Sequence, residues 1–174
     1  MAETIVLGGG CFWCLDALFR QIKGVQAVAC GYAGGTAPNP TYESIHREQT
    51  GHAEVVEVKF DPKTVSLATL LDVFWAVHDP TTTNRQGNDV GPEYRSIVLY
   101  NPNQNDEVEK AYDRAQANWD NRVITELKPF DVFYPAEDYH QDYFNKNPSQ
   151  AYCQVIINPK LATFRKNFSA LLKS

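Results

Sequence analysis

The chain has 174 residues, 43% of them hydrophobic, and a formal net charge of −5, which fits one domain over residues 1–174 with one core. The acidic balance and the scattered Lys and Arg argue against nucleic acid or an anionic membrane as partner. No stretch reaches the length of a membrane span, and residues 1–4 carry no basic or long apolar leader, so neither an anchor nor a signal peptide is expected. Four cysteines are too few for a disulfide scaffold and point to reactive thiols in the cytoplasm.

Residues 4–7 (Thr-Ile-Val-Leu) form an apolar run that predicts a first strand. It gives way to Gly8-Gly9-Gly10-Cys11 and then to a helical pattern over 11–23, with Leu15, Leu18, Phe19 and Ile22 on one face and Gly24 as its stop. Residues 25–30 alternate and predict a second strand, followed by an aperiodic stretch, 31–51, rich in Gly, Pro, Asn and Thr. Residues 52–60 predict a strand closed by Asp61-Pro62. Ser66 caps an expected helix with the stripe Leu67, Leu70, Leu71, Phe74 and Val77, which must stop before Pro80. A second aperiodic stretch, 79–94, precedes a strand at 95–100.

The order strand, helix, strand, strand, helix, strand predicts an α/β (α+β) chain with a ferredoxin-like βαββαβ two-layer core. Added C-terminal elements follow: a helix after Asn101-Pro102 with Val108, Ala111, Tyr112, Ala115 and Trp119 in register, a strand at 123–127, and a short helix near 138–144. Asn158-Pro159 predicts the cap and first turn of a last helix carrying Leu161, Phe164, Phe168 and Leu171. The two long loops are of the kind that carries function, and they are expected over the Cys11 end of the sheet.

Cys11 sits where a strand delivers three glycines to a helix start. The free N–H groups and positive dipole end there favour a thiolate, so its pKa is expected to be lowered and Cys11 to be a nucleophile rather than a buried small hydrophobe. On strand 52–60, one parity reads Glu54, Val56, Val58, Phe60 and is otherwise apolar, which turns Glu54 toward the core. Desolvation would keep this carboxyl protonated and able to act as an acid; the alternative is a solvated or arginine-paired side chain. Asp89, in Gly87-Asn88-Asp89-Val90-Gly91, is either a turn residue or a hydrogen-bonding partner of backbone or of a tyrosine in the site. Tyr42 and Tyr94 offer hydroxyls for a polar oxygen, and Phe12 and Trp13 either line an apolar slot or anchor the core. His46, His52, His78 and His140 make no metal pattern with the cysteines, and His78 reads as a favourable charge at a helix end.

These residues fall in a series of motifs: Gly10-Cys11-Phe12-Trp13, Gly31-Tyr32-Ala33-Gly34-Gly35, Asn39-Pro40-Thr41-Tyr42, Thr50-Gly51-His52-Ala53-Glu54, His78-Asp79-Pro80-Thr81, Gln86-Gly87-Asn88-Asp89, Tyr94-Arg95-Ser96 and Tyr139-His140-Gln141. From residue 8 to about 153 the series resembles the A-type peptide methionine sulfoxide reductases. The resemblance implies reduction of the S-epimer of methionine sulfoxide, free or in proteins, with no metal or organic cofactor and with electrons from thioredoxin. It implies that Cys11 attacks the sulfur and becomes a sulfenic acid, and that Glu54 protonates the departing oxygen while Tyr42 and Tyr94 bind it. Phe12 and Trp13 would hold the substrate methyl, and Asp89 would help shape the pocket.

The sequence departs from the family pattern at Cys14, where glycine is usual, and in lacking a glycine-rich C-terminal tail. Either Cys14, at Cys-x-x-Cys spacing, or Cys153 could resolve the sulfenic acid; Cys14 is expected to act first with Cys153 as a relay, and Cys30 to be structural. The expected species is a monomeric enzyme. Two other readings stay open on the residues alone: a ferredoxin-like domain binding a ligand or metal through Cys11 and Cys14, and a general thiol–disulfide oxidoreductase using the same pair.

Overall fold

The computed structural model describes all residues, 1–174. Strand β3 (Ala53–Phe60) lies inside a six-stranded sheet, between β1 (Glu3–Gly8) and β2 (Val25–Ala33). Beyond β1 come β6 (Ile97–Tyr100) and β7 (Glu126–Pro129), and β8 (Phe133–Pro135) closes the β2 edge. All pairings are antiparallel except β6 with β7. The alternating side chains of β3 divide as period 2 requires. Val56, Val58 and Phe60 join the main core under the helices, whereas Ala53 and Val55 join Val6, Ala33, Ile97 and Leu99 in a small cluster on the other face, covered by Phe130 and Phe133.

The helical layer is α1 (Phe12–Phe19), α3 (Leu67–Val77), α4 (Asn105–Asn118) and α6 (Asn158–Asn167). In α3 the Ser66 hydroxyl accepts the Thr69 N–H, and Leu70, Leu71 and Phe74 are wholly buried, each worth roughly 1.5–3 kcal/mol of burial. The expected helix over 11–23 ends early, with Arg20 as its C-cap. Its continuation leaves to pair with the C-terminal segment: Lys23 N–H donates to Leu171 O (2.7 Å) and Lys173 N–H to Gln21 O (2.8 Å).

The loops hold elements too short for a periodic signal: α2 (Tyr42–Arg47), capped by Thr41, the hairpin strands β4 (Arg85–Gln86) and β5 (Asp89–Val90), and α5 (Tyr143–Lys146). The strand expected at 123–127 begins at Glu126 instead, because Thr125 is buried as the acceptor of Trp75 Nε1 (2.8 Å). Asn158 is not a cap. It has helical angles, and the last helix enters it from a π turn at Cys153–Ile157. Pro159 has no N–H to return to residue 155 and its ring crowds that carbonyl, which a wider turn relieves.

His78 is also not an end charge. It is buried between α3 and β6, with Nδ1 against Phe74 O (2.6 Å) and Nε2 against Ser96 Oγ (2.7 Å). Burial lowers its pKa from 6.5 to about 4, so the ring is neutral at pH 7. The unfolded chain takes up this proton first, so stability is full above the unfolded value and is lost as pH falls toward the folded one. The loss comes to about 3 kcal/mol. Urea denaturation at neutral pH and near pH 4 should show a His78→Gln variant, though less stable at pH 7, losing less stability on acidification than the wild type.

Candidate active site

The site forms where β1 ends and α1 begins. Cys11 is the N-cap of α1 in extended conformation (φ −63°, ψ 128°). Each preceding glycine faces a close neighbour: a Cβ on Gly8 would lie 2.8 Å from Ile97 Cγ2, on Gly9 2.9 Å from the His78 ring, and on Gly10 2.7 Å from Gln86 Cγ. Gly10 also has φ +87°, in the region that L side chains avoid. The glycine run thus serves tight packing of backbone against His78 and the β4–β5 hairpin.

Glu54 lies on the helix side of the sheet with 1% of its surface exposed. Its Oε1 accepts the Phe12 N–H at 3.0 Å, which fixes the carboxyl beside the residue that follows Cys11. Oε2 lies 3.1 Å from His46 Nε2, a charge contact rather than a well-aimed hydrogen bond. Burial raises the Glu54 pKa, and the His46 and Phe12 contacts only partly oppose this. The acid is therefore held toward its neutral form.

Cys11 departs from expectation. Burial, then the charge of Glu54, then Cys14 push its thiol well above the usual cysteine value, while the Trp13 N–H and the Tyr152 hydroxyl pull down by less. The first-turn N–H expected to favour a thiolate is given by Phe12 to Glu54. In this state Cys11 is a thiol.

Two cavities with no lining residue in common bear on the site. A cavity of about 190 Å³ is lined by Cys11, Gln86, Asn88, Asp89, Tyr152 and Lys160. A wider cleft of about 590 Å³ is lined by Tyr42, His46, Tyr94, Glu137 and Tyr139 among others. Tyr42 and Tyr94 stand in the cleft rather than in the cavity with Asp89. Burial and the nearby Glu54 charge raise both phenols, Tyr42 to about 12, so both keep their protons. Tyr152 was not singled out by the sequence. Its hydroxyl donates to Asp89 Oδ2 (3.1 Å) and touches Cys14 Sγ (3.9 Å). Only contact made at a separation of 63 residues marks it out from eight other tyrosines.

Trp13 is half-buried and locked: its ring stacks on Tyr143 (3.8 Å, 4°), and its Nε1–H donates to His140 Nδ1 (3.0 Å). Phe12 is wholly buried against Tyr32 and His140, so it is a core anchor and only Trp13 keeps open surface. His52 ties the 35–37 loop to β3 through Gly35 N–H and Ala37 O. All four cysteines are free thiols; Cys14, Cys30 and Cys153 are buried. Cys14 affects the ionisation of Cys11, whereas burial alone moves Cys153.

This architecture is shared by solved structures. Mxr1 from Saccharomyces cerevisiae in reduced form matches at TM-score 0.82 and 35% identity, over 87% of this chain and 89% of that one. Mxr1 in complex with Trx2 matches at TM-score 0.59 and 26% identity, over 82% and 84%. MsrA of Pseudarthrobacter chlorophenolicus is 53% identical over 173 residues, 99% of each chain. Fold and relatives define an oxidoreductase of mixed α/β architecture. The profile of peptide methionine sulfoxide reductases matches residues 3–172, and the chain belongs to that family as an A-type enzyme that reduces methionine sulfoxide. No helix is long and apolar enough to cross a membrane.

If Cys11 is held as a thiol in part by Glu54, alkylation of Cys11 by iodoacetamide, followed by mass spectrometry of its peptide, should reach half its limiting rate above the usual cysteine pKa. Glu54→Gln should move that midpoint to lower pH, because a neutral amide removes a charge that opposes the thiolate.

Proposed function

We propose that the enzyme reduces the S-epimer of methionine sulfoxide, free or in proteins, through a sulfenic acid on Cys11 and an intramolecular disulfide that thioredoxin reduces. The observation that carries this reading is the buried Glu54 carboxyl held 3.0 Å from the Phe12 N–H, next to Cys11. Cys11 Sγ attacks the sulfoxide sulfur while Glu54 gives its proton to the sulfoxide oxygen. The S–O bond of the substrate breaks and the hydroxyl passes to Cys11 as the sulfenic acid. Methionine leaves as the thioether, reduced by the two electrons that Cys11 loses, and the thiol proton returns to Glu54. Atoms and protons balance with no outside donor, and a thiol in the resting state suits the step.

Tyr42 and Tyr94, which keep their protons, donate to the sulfoxide oxygen. Trp13, held by Tyr143 and His140, faces the substrate methyl with Phe12 behind it. Asp89 shapes the cavity through Tyr152. A second thiol then attacks the sulfenic sulfur, forming a disulfide and water. Cys14 is the first partner: it is the one other thiol whose charge Cys11 senses, and it lies in the first turn, with its N–H on Cys11 O at 3.2 Å. Cys153, buried in the core, serves as a relay. The electrons come from thiols, so the scheme needs neither metal nor organic cofactor, and the yeast Mxr1–Trx2 complex supports thioredoxin as the reductant. The strand order β6-β1-β3-β2, with α1 and α3 packed into one core, supports a ferredoxin-like description of β1, α1, β2, β3, α3 and β6.

With a peptide methionine-S-sulfoxide and a dithiol, Cys11→Ser should form no methionine, and Glu54→Gln should be slower by about 10²–10⁴-fold. Equal turnover of the R-epimer would overturn the assignment. With thioredoxin as the only reductant, Cys14→Ser should lose multiple turnover yet keep one equivalent of methionine per enzyme. If Cys153→Ser alone shows that pattern, Cys153 is the resolver.

A further inference from the structure

One histidine of the site has no part in the steps above. His46, on α2, stands between two buried carboxyls. Its Nε2 is 3.1 Å from Glu54 Oε2 on β3, and its Nδ1 is 3.4 Å from Glu93 Oε2 in the turn before β6. Both ring nitrogens thus face acids, while the ring edge opens to the cleft of Tyr42 and Tyr94. Because Glu54 Oε1 is occupied by the Phe12 N–H, the proton of the acid belongs on Oε2. That is the atom His46 reaches.

We propose that His46 is a positioning residue for the acid: clamped by Glu93 and open to the cleft, it lies against the oxygen of Glu54 that carries the proton and steadies the carboxylate left when that proton goes to the substrate. This rests on the reading of Glu54 as the acid. The other charges around the ring agree with it. Glu54, Glu93 and Asp89 all favour a protonated His46, against its partial burial. His140 is the one cation-forming neighbour that would oppose it, and burial lowers that ring to about 4. At the cleft mouth Arg47 and Glu43 are exposed and paired with each other at 2.8 Å, and Glu137 is engaged by Tyr32 and the Tyr42 N–H.

A protonated imidazole beside a carboxyl favours the ionised form of that carboxyl. Taking away His46 therefore leaves Glu54 protonated to higher pH. The test is single-turnover methionine formation by pre-reduced enzyme on a peptide methionine-S-sulfoxide, across about pH 6 to 10. His46→Gln should move the alkaline fall of kcat/KM up by about one pH unit, with KM little changed. Glu93→Gln should move it in the same direction by less, because it removes a charge that keeps His46 protonated; it carries the test should His46→Gln fail to fold by thermal melting. A uniform loss at every pH, a change in KM alone, or an unmoved limb in the variants that fold would overturn the role of His46. A wild type that forms no methionine, or a Glu54→Gln variant as fast as wild type, would instead overturn the reading on which it rests.

Discussion

The site depends on a single hydrogen bond between a helix start and a strand, Phe12 N–H to Glu54 Oε1 at 3.0 Å. A helix leaves its first N–H groups without backbone partners, so an acceptor placed there is held firmly and in a fixed direction. A hydrogen bond to a charged group is worth about 1.5–3 kcal/mol, while burying an ionised carboxylate costs several kcal/mol. The cost wins, and Glu54 is raised rather than lowered. The same bond withdraws a donor of α1 from the neighbouring sulfur. A carboxyl and a thiol, each held toward its neutral form, stand beside each other, suited to passing protons as bonds to sulfur exchange.

The fold supports that bond through packing at the end of β1. Gly8 lies against Ile97 and the Glu54 carbonyl, Gly9 against His78, and Gly10 against Gln86. His78 is in turn held through Ser96 and Thr125 to Trp75. A chain of neutral hydrogen bonds thus backs the loop that presents Cys11. On the other side, Trp13 is wedged between Tyr143 and His140, so residues far along the chain set the rotamer of a side chain two positions from the thiol. The fixed side chains leave little for substrate to reorganise.

Much of this was legible in the chain. The two-residue period of β3 placed Glu54 on the helix side, the Ser66 cap and apolar stripe marked α3, and the linked motifs pointed to the reductase family. The misses share a cause. The elements α2, β4, β5 and β8 are too short to carry a period. The end of α1 was decided by a remote partner, Leu171, and the start of the last helix by the wide turn that Pro159 favours. The direction of the Cys11 shift was misread because the helix N-terminus was weighed without the burial of the thiol, which outweighs it, and without a carboxylate 42 residues further on that adds its charge and takes the Phe12 N–H.

Local pattern by itself determined the strands and main helices, the candidate residues for the chemistry and the family, because periodicity, capping and motif spacing are properties of neighbours along the chain. Only the tertiary structure decided the protonation of Cys11, Glu54 and His78, the locking of Trp13, and the meeting of His46 with its two acids. Those depend on how much water is removed and which charge lies within a few ångströms, and both follow from segments brought together across the fold.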